Sequence, residues 1–211
     1  MHTVSYIHHT EEGDSLLAYM ARVSNPDNQS NTKTSPKLIK YLIDNKHWSP
    51  LEMVSLCVSI KTTRSIAQQI IRHRSFSFQE FSTRYAEIKD PPLTPALRRQ
   101  DTSNRQNSID DLSEHQKDSL QLLVDRQLQE SYALYNLLLK KGVAKECARD
   151  VLPLSTPTRL YMHGNLRSWI HYCQLRSSNG TQHEHKLIAD QCFDIIKDCF
   201  PLVYASVSEL T

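Results

Sequence analysis

Glycine is nearly missing from this chain: Gly13, Gly142, Gly164 and Gly180 are the only ones in 211 residues. Scattered as they are, they cannot form a G-x-G-x-x-G turn or a P-loop, so a bound nucleotide must be gripped by side chains. Cysteine offers no scaffold either. Cys57, Cys147, Cys173, Cys192 and Cys199 are odd in number, with no C-x-x-C spacing. A disulfide framework and a structural zinc site are both disfavoured, and a reducing compartment fits best. No apolar run is long enough to span a membrane. The opening Met1-His2-Thr3-Val4-Ser5-Tyr6 lacks the basic start and apolar centre of a signal peptide. A cytoplasmic location is expected, or a host's cytoplasm if the source is viral, with no membrane partner. The formal net charge is only +2. No global field therefore draws the chain to nucleic acid or anionic lipid, and anion binding must come from local arginine clusters.

What is present fits a soluble globular protein, 39% hydrophobic and 23% charged, of a length that suits one domain over residues 1–211. Residues 3–8 can form a short strand and 14–23 a helix. A second helix is expected over 35–45, with Ser35 as N-cap and Pro36 at its first position. Alternation around Met53, Val54, Leu56, Val58 and Ile60 predicts a strand over 52–61. Helical spacing returns over 63–73. The proline-bearing, polar stretch 90–111 reads as a long loop or lid. A long amphipathic helix over 113–141 is expected to turn Leu120, Leu123, Val124, Leu128, Tyr132, Tyr135, Leu138 and Leu139 inward, with Ser113 and Gln116 as a capping box and Gly142 as its stop. A short helix over 144–151, a strand over 158–162 and helices over 165–175 and 184–198 complete an α+β pattern. In the 165–175 helix Leu166, Trp169, Ile170 and Cys173 share the buried arc, Arg176 lies at its edge, and Arg167 and His171 share the opposite face.

Residues 72–84 carry the densest chemistry: Arg72-His73-Arg74, then Ser77, Glu80, Ser82 and Arg84. As a strand, the segment puts Phe76, Phe78, Glu80, Ser82 and Arg84 on one face. An acceptor, a hydroxyl and a bidentate cation in one row suit a polar anionic small molecule. Each part has a plain structural reading too. Basic triplets at helix ends serve the macrodipole, and Arg149 and Arg176 can cap helix carbonyls. A basic patch interleaved with Phe76, Phe78 and Phe81 could also stack single-stranded nucleic acid, although the embedded Glu80 and the near-zero net charge oppose it. His183-Glu184-His185 invites a metal reading, but the two histidines diverge on a helix and no third ligand is evident. No metal is expected.

The stretch fits RHRxxSxxExSxR at all seven fixed positions, Arg72, His73, Arg74, Ser77, Glu80, Ser82 and Arg84. That pattern resembles the signature of the flavin-dependent thymidylate synthases. His47-Trp48-Ser49-Pro50-Leu51-Glu52 resembles the family's upstream HxxPxE element, and Gln69, Arg149-Asp150-Val151-Leu152-Pro153 and Asn165-Leu166-Arg167-Ser168 through Arg176 match further landmarks in order. The resemblance spans about Ser15 to the C-terminus. It implies an α+β fold with a twisted, mainly antiparallel sheet and long helices. The implied reaction is reductive methylation of dUMP to dTMP, with methylenetetrahydrofolate as carbon donor, NADPH-reduced FAD as hydride source and no enzyme cysteine nucleophile. It further implies a homotetramer with active sites shared between subunits, and no nucleic-acid partner. By similarity, Ser49, Arg72, His73, Arg74, Glu80, Asn165, Arg167 and His171 contact FAD, with His47 near the flavin and folate. Gln69, Ile70, Ile71, Arg72, Glu80, Phe81, Ser82, Thr83, Arg84, Arg149 and Arg176 line up with dUMP contacts. Arg176 is the catalytic candidate, polarising the uracil. Gly180 stands where some members carry a His, and His171 where others carry Asn.

Overall fold

The computed structural model describes residues 2–178 and 180–208. Four antiparallel strands form the central sheet, in the order β1 (Thr3–His9), β2 (Ser55–Thr63), β6 (Pro157–Asn165), β3 (Ser77–Glu80). β2 and β6 occupy the middle, and β2 is buried without a break from Leu56 to Ile60. β6 alternates: Leu160, Met162 and Gly164 face inward, while Arg159, Tyr161 and His163 face away. The helices α1 (Gly13–Ala21), α2 (Ser35–Asp44), α6 (Leu166–Arg176), α7 (His183–Cys199) and α8 (Pro201–Ser208) contribute to the main core with the sheet. Trp169 is fully buried there and its indole donates to the Leu56 carbonyl at 3.0 Å. Buried aliphatic and aromatic area of this kind is the dominant stabilising term. Among the described residues no helix is long and apolar enough to cross a membrane.

The strand expected over 52–61 begins later, at Ser55, because Ser49–Glu52 winds into a 3-10 turn after Trp48. The next helix, α3 (Arg64–Ile70), ends earlier than expected; His73 N–H then bonds back to the Ile70 carbonyl at 3.0 Å. Helix α2 starts at Ser35 itself, with Thr34 before it and Ser35-Pro36 in its first turn. Helix α8 was not expected. Pro201 opens it, at a position where its missing N–H costs nothing, and Asp14 accepts from the Leu202 N–H at 2.7 Å.

Two helices close with the same device. In α2, Lys46 N–H bonds to the Ile43 carbonyl and His47 N–H to the Leu42 carbonyl; in α4 (Glu114–Lys140), Gly142 and Val143 repeat it on Leu139 and Leu138. This is the Schellman pattern, which needs a left-handed residue. Gly142 supplies it with φ of 82°, whereas in α2 the position is Lys46, at 57°. Lys46→Gly should therefore raise stability by about 0.5–1 kcal/mol, after the extra freedom glycine gives the unfolded chain. Urea unfolding midpoints measure it.

The segment expected as an open loop or lid carries a small ribbon, β4 (Arg99–Gln100) paired with β5 (Ser108–Ile109). Asp101 ties its turn by accepting from Ser103, Asn104 and Asn107. Arg98 then fastens it to α7, pairing with Glu184 at 2.8 Å. The capping box of α4 is present on both sides, Ser113 with Gln116. The inward face expected for that helix is not. Only Tyr135 is buried; Tyr132, Leu138 and Leu139 are half-buried around Ile88, Ala148 and α5 (Lys145–Ala148), while Leu120 and Leu123 stand 46% and 62% exposed. Periodicity marks the apolar side of a helix, not what covers it.

Candidate active site

Helix α3 delivers the basic triplet. Ile70 is fully buried, so any contact it makes with a ligand passes through its backbone; Ile71, Arg72 and Arg74 face solvent. His73 turns inward between them because Phe76, three residues on, is pinned in the core against Trp169, with ring centroids 4.8 Å apart. Arg72 and Arg74 have no carboxylate partner among the described residues, leaving two guanidiniums free for an anion.

His73 meets the end of α6. Its Nε2 accepts from Arg176 Nε at 2.9 Å, and its ring packs edge-on to Tyr172 at 4.9 Å. Burial, and next the Arg176 charge, push its pKa down to about 4. Behind it, fully buried His185 lies between Tyr172 and Gln69, and burial, then Arg176 and His73, push it down to about 3. Both rings are neutral at pH 7. In the unfolded chain they take up protons near pH 6.5. As pH falls from about 6.5 towards 4 the unfolded state binds protons that the folded state refuses, so stability is lost over that window and is constant above it as far as these two groups act. Urea midpoints at pH 7.5, 5.5 and 4.5 should fall progressively, and less steeply in His185→Asn.

A second group gathers where the 47–52 turn meets the start of α6. Trp48 packs on His171 with ring centroids 5.1 Å apart, Glu52 accepts from Arg167, and His47 packs edge-on to Tyr41 at 5.7 Å. Asn165 caps α6 through its side-chain oxygen, accepting from Ser168 N–H at 2.9 Å, which leaves its amide N–H groups for a ligand. Ser49, His47, Arg167 and His171 are all exposed. Arg167 and His171 lie, as their spacing predicts, on the side of α6 away from Trp169 and Cys173.

The third group surrounds the end of β3. The extended segment stops at Glu80: Phe81 N–H still bonds to the Arg159 carbonyl, but Tyr85 and Ala86 N–H both turn back to Ser82. Ser82 and Arg84 therefore do not continue the face of Phe78 and Glu80 as strand alternation would have it. Glu80 accepts from Thr158 at 3.0 Å, Arg149 donates to buried Thr83 at 3.2 Å, and Arg84 pairs with Glu146 at 3.2 Å. That last pair is exposed, so it is weak and can exchange for a phosphate. Glu80, Phe81 and Ser82 line a cleft of about 780 Å³ together with Lys61, Arg159 and Tyr161 from the outward face of the sheet. Sequence reasoning missed Lys61, Arg159, Tyr161 and Tyr172, and weighed His185 only as half of a metal motif. Lys61 and Arg159 sit directly opposite each other on β2 and β6, a pairing visible only once the strand register is known.

Cys57, Cys173 and Cys192 are buried, and burial pushes each thiol up from its ordinary value. Among the described residues no group of three or more His, Cys, Asp and Glu is placed to hold a metal. The unpaired guanidiniums of Arg72 and Arg74, with Arg167 and the free amide of Asn165, fit the diphosphate and polar edge of a flavin dinucleotide.

Residues 5–202 match the family described as thymidylate synthase complementing protein. A probable flavin-dependent thymidylate synthase of Paramecium bursaria Chlorella virus 1 is 50% identical over 190 residues, covering 90% of this chain and 88% of that one. A flavin-dependent thymidylate synthase of Synechocystis is 48% identical over 194 residues, covering 92% and 89%. Among solved structures, the UMP/dUMP methylase PolB of Streptomyces cacaoi bound with 5-Br dUMP superposes with a TM-score of 0.86 at 26% identity, over 99% of this chain and 95% of that one.

Proposed function

This chain belongs to the flavin-dependent thymidylate synthases, and from that membership we infer that it methylates dUMP to dTMP as an FAD-dependent enzyme, working as one domain. The carbon donor is methylenetetrahydrofolate and the reductant NADPH. FAD, when bound, supplies the hydride. Its diphosphate is held by Arg72 and Arg74, and its polar edge by Asn165, Arg167 and His171, with Ser49, His73 and Glu80 beside it and His47 towards the folate. The nucleotide lies against Glu80–Arg84, Gln69–Arg72 and Arg149, with Arg84 and Arg149 on its phosphate.

Arg176 carries this reading. Its Nε is fixed on His73, which is neutral and can only accept there, while its terminal amino groups have no partner among the described residues. A guanidinium anchored by one nitrogen presents the other two to a developing negative charge, which suits uracil losing its N3 proton. The test is dTMP formation by the FAD-loaded protein from dUMP, methylenetetrahydrofolate and NADPH, each omitted in turn. No dTMP from the loaded protein overturns the reading; dTMP without NADPH overturns its choice of reductant.

The assembly is a homotetramer with shared sites. The uncovered leucines of α4, Leu120, Leu123 and Leu137, support it, since so long an apolar stripe is seldom left to water. Leu123→Glu should shift the mass in solution below that of the tetramer and lower activity at dilute protein concentration; light scattering decides.

A further inference from the structure

Gln69 does not hang free in the site. His185 Nδ1 lies 3.2 Å from Gln69 Oε1, and Gln69 Nε2 donates to Gln182 Oε1 at 2.7 Å. On its other side His185 Nε2 lies 3.1 Å from the Tyr172 hydroxyl. An amide oxygen only accepts, so His185 carries its proton on Nδ1 and Nε2 accepts from Tyr172. The chain of donors then runs one way, from Tyr172 through His185 and Gln69 to Gln182, and on to Glu184 at 2.9 Å, which Arg98 neutralises. Each member tells the next which way to point. Fully buried His185 has no water to take over either nitrogen, and its low pKa keeps it from becoming a double donor.

The consequence concerns the choice of base, and it rests on the reading of Gln69 as a dUMP contact. With its oxygen turned to His185, the amide has an N–H left over. Set against the 4-position of the base, that N–H complements the uracil 4-carbonyl. Cytosine has an amino group in place of the 4-carbonyl, which would set donor against donor. We propose that His185 is a specificity-determining positioning residue: by donating from Nδ1 to Gln69 Oε1 it locks the glutamine amide in the orientation that accepts uracil nucleotides and refuses cytosine nucleotides.

The experiment titrates FAD-loaded protein with dUMP and with dCMP, by calorimetry or the flavin absorbance change. His185→Leu removes the donor and should lower the dUMP-over-dCMP preference by about tenfold, since a mispaired buried polar group is what enforces such choices. His185→Asn puts an amide donor near Nδ1 and should keep the preference within about threefold of wild type. Tyr172→Phe keeps the ring packing but frees the imidazole to move its proton, and should lower the preference by about threefold. A folded His185→Leu protein with an unchanged preference overturns the proposal, as does His185→Asn falling as far as His185→Leu, which would mean that packing alone matters. Should His185→Leu fail to bind FAD, an unchanged preference in Tyr172→Phe overturns it instead. Wild-type protein that binds no dUMP, or binds it equally well as Gln69→Leu, sinks the nucleotide-site reading itself, and the proposal with it.

Discussion

Arg176→Ala is expected to slow dTMP formation by about a thousandfold while FAD stays bound. The side chain is half-buried at the end of α6, held by His73 at 2.9 Å; of the groups read as flavin ligands only His73 is bonded to it, and Arg72, Arg74, Asn165 and Arg167 are left in place. Losing it removes the fixed cation proposed to meet the uracil ring and leaves the guanidiniums proposed to grip the cofactor. Arg176→Lys should recover only part of the rate, because an ammonium is a point charge without the planar fork. A second readout separates chemistry from collapse. The Arg176 charge helps hold down the pKa values of His73 and His185, so both should rise in the alanine variant, followed by imidazole resonances in an NMR titration. Full turnover by the alanine variant would remove Arg176 from the reaction; lost FAD absorbance would assign it to the fold.

Gly164→Ala should cost about 2 kcal/mol, or roughly 4–8 °C in melting temperature. A methyl group at Gly164 would sit 2.5 Å from one ring atom of Phe76 and 2.7 Å from another. Phe76 has little room to retreat, since Trp169 packs edge-on to it and Tyr172 lies beyond at 5.9 Å. Because Phe76 also ties the Arg72–Arg74 turn to the core, the strain passes straight to the basic triplet, and FAD affinity should fall with stability. Phe76→Leu in the same protein should restore part of both, a coupling that independent sites do not show. Calorimetric melting and flavin titration of the two single variants and the double variant give the answer.

Features carried by near neighbours in sequence were legible. The Ser113–Gln116 box, the Gly142 stop and the division of α6 between Trp169 and Arg167 all follow from spacings of three or four residues, and the structure has them. The flavin and nucleotide candidates fall into three groups tied to α3, α6 and the end of β3. What failed was set at longer range. Nothing in Ser82-Thr83-Arg84-Tyr85 marks a turn: it has no glycine, proline or asparagine. The chain bends there all the same, with Thr83 drawn into the interior and taken by Arg149 from far along the sequence. His185 looked like half of a weak metal motif, and only its partners Gln69 and Tyr172, 116 and 13 residues away, show what it holds. The leucines of α4 carried a true period and a false conclusion, since Leu120 and Leu123 find no cover among the described residues.

Helix α6 follows β6 with no intervening residue, the strand ending at Asn165 and the helix starting at Leu166. Arg167 and Arg176 are nine positions apart on it. Nine steps of about 100° come to half a turn beyond two full ones, and the rise is about 13 Å. The two arginines thus leave opposite sides of one rod, at opposite ends. A compact ligand cannot touch both from the same helix. In the shared-site assembly proposed above, α6 becomes a partition: its Arg167 end looks into one chamber, its Arg176 end into the next, and each chamber takes a different copy of the same helix.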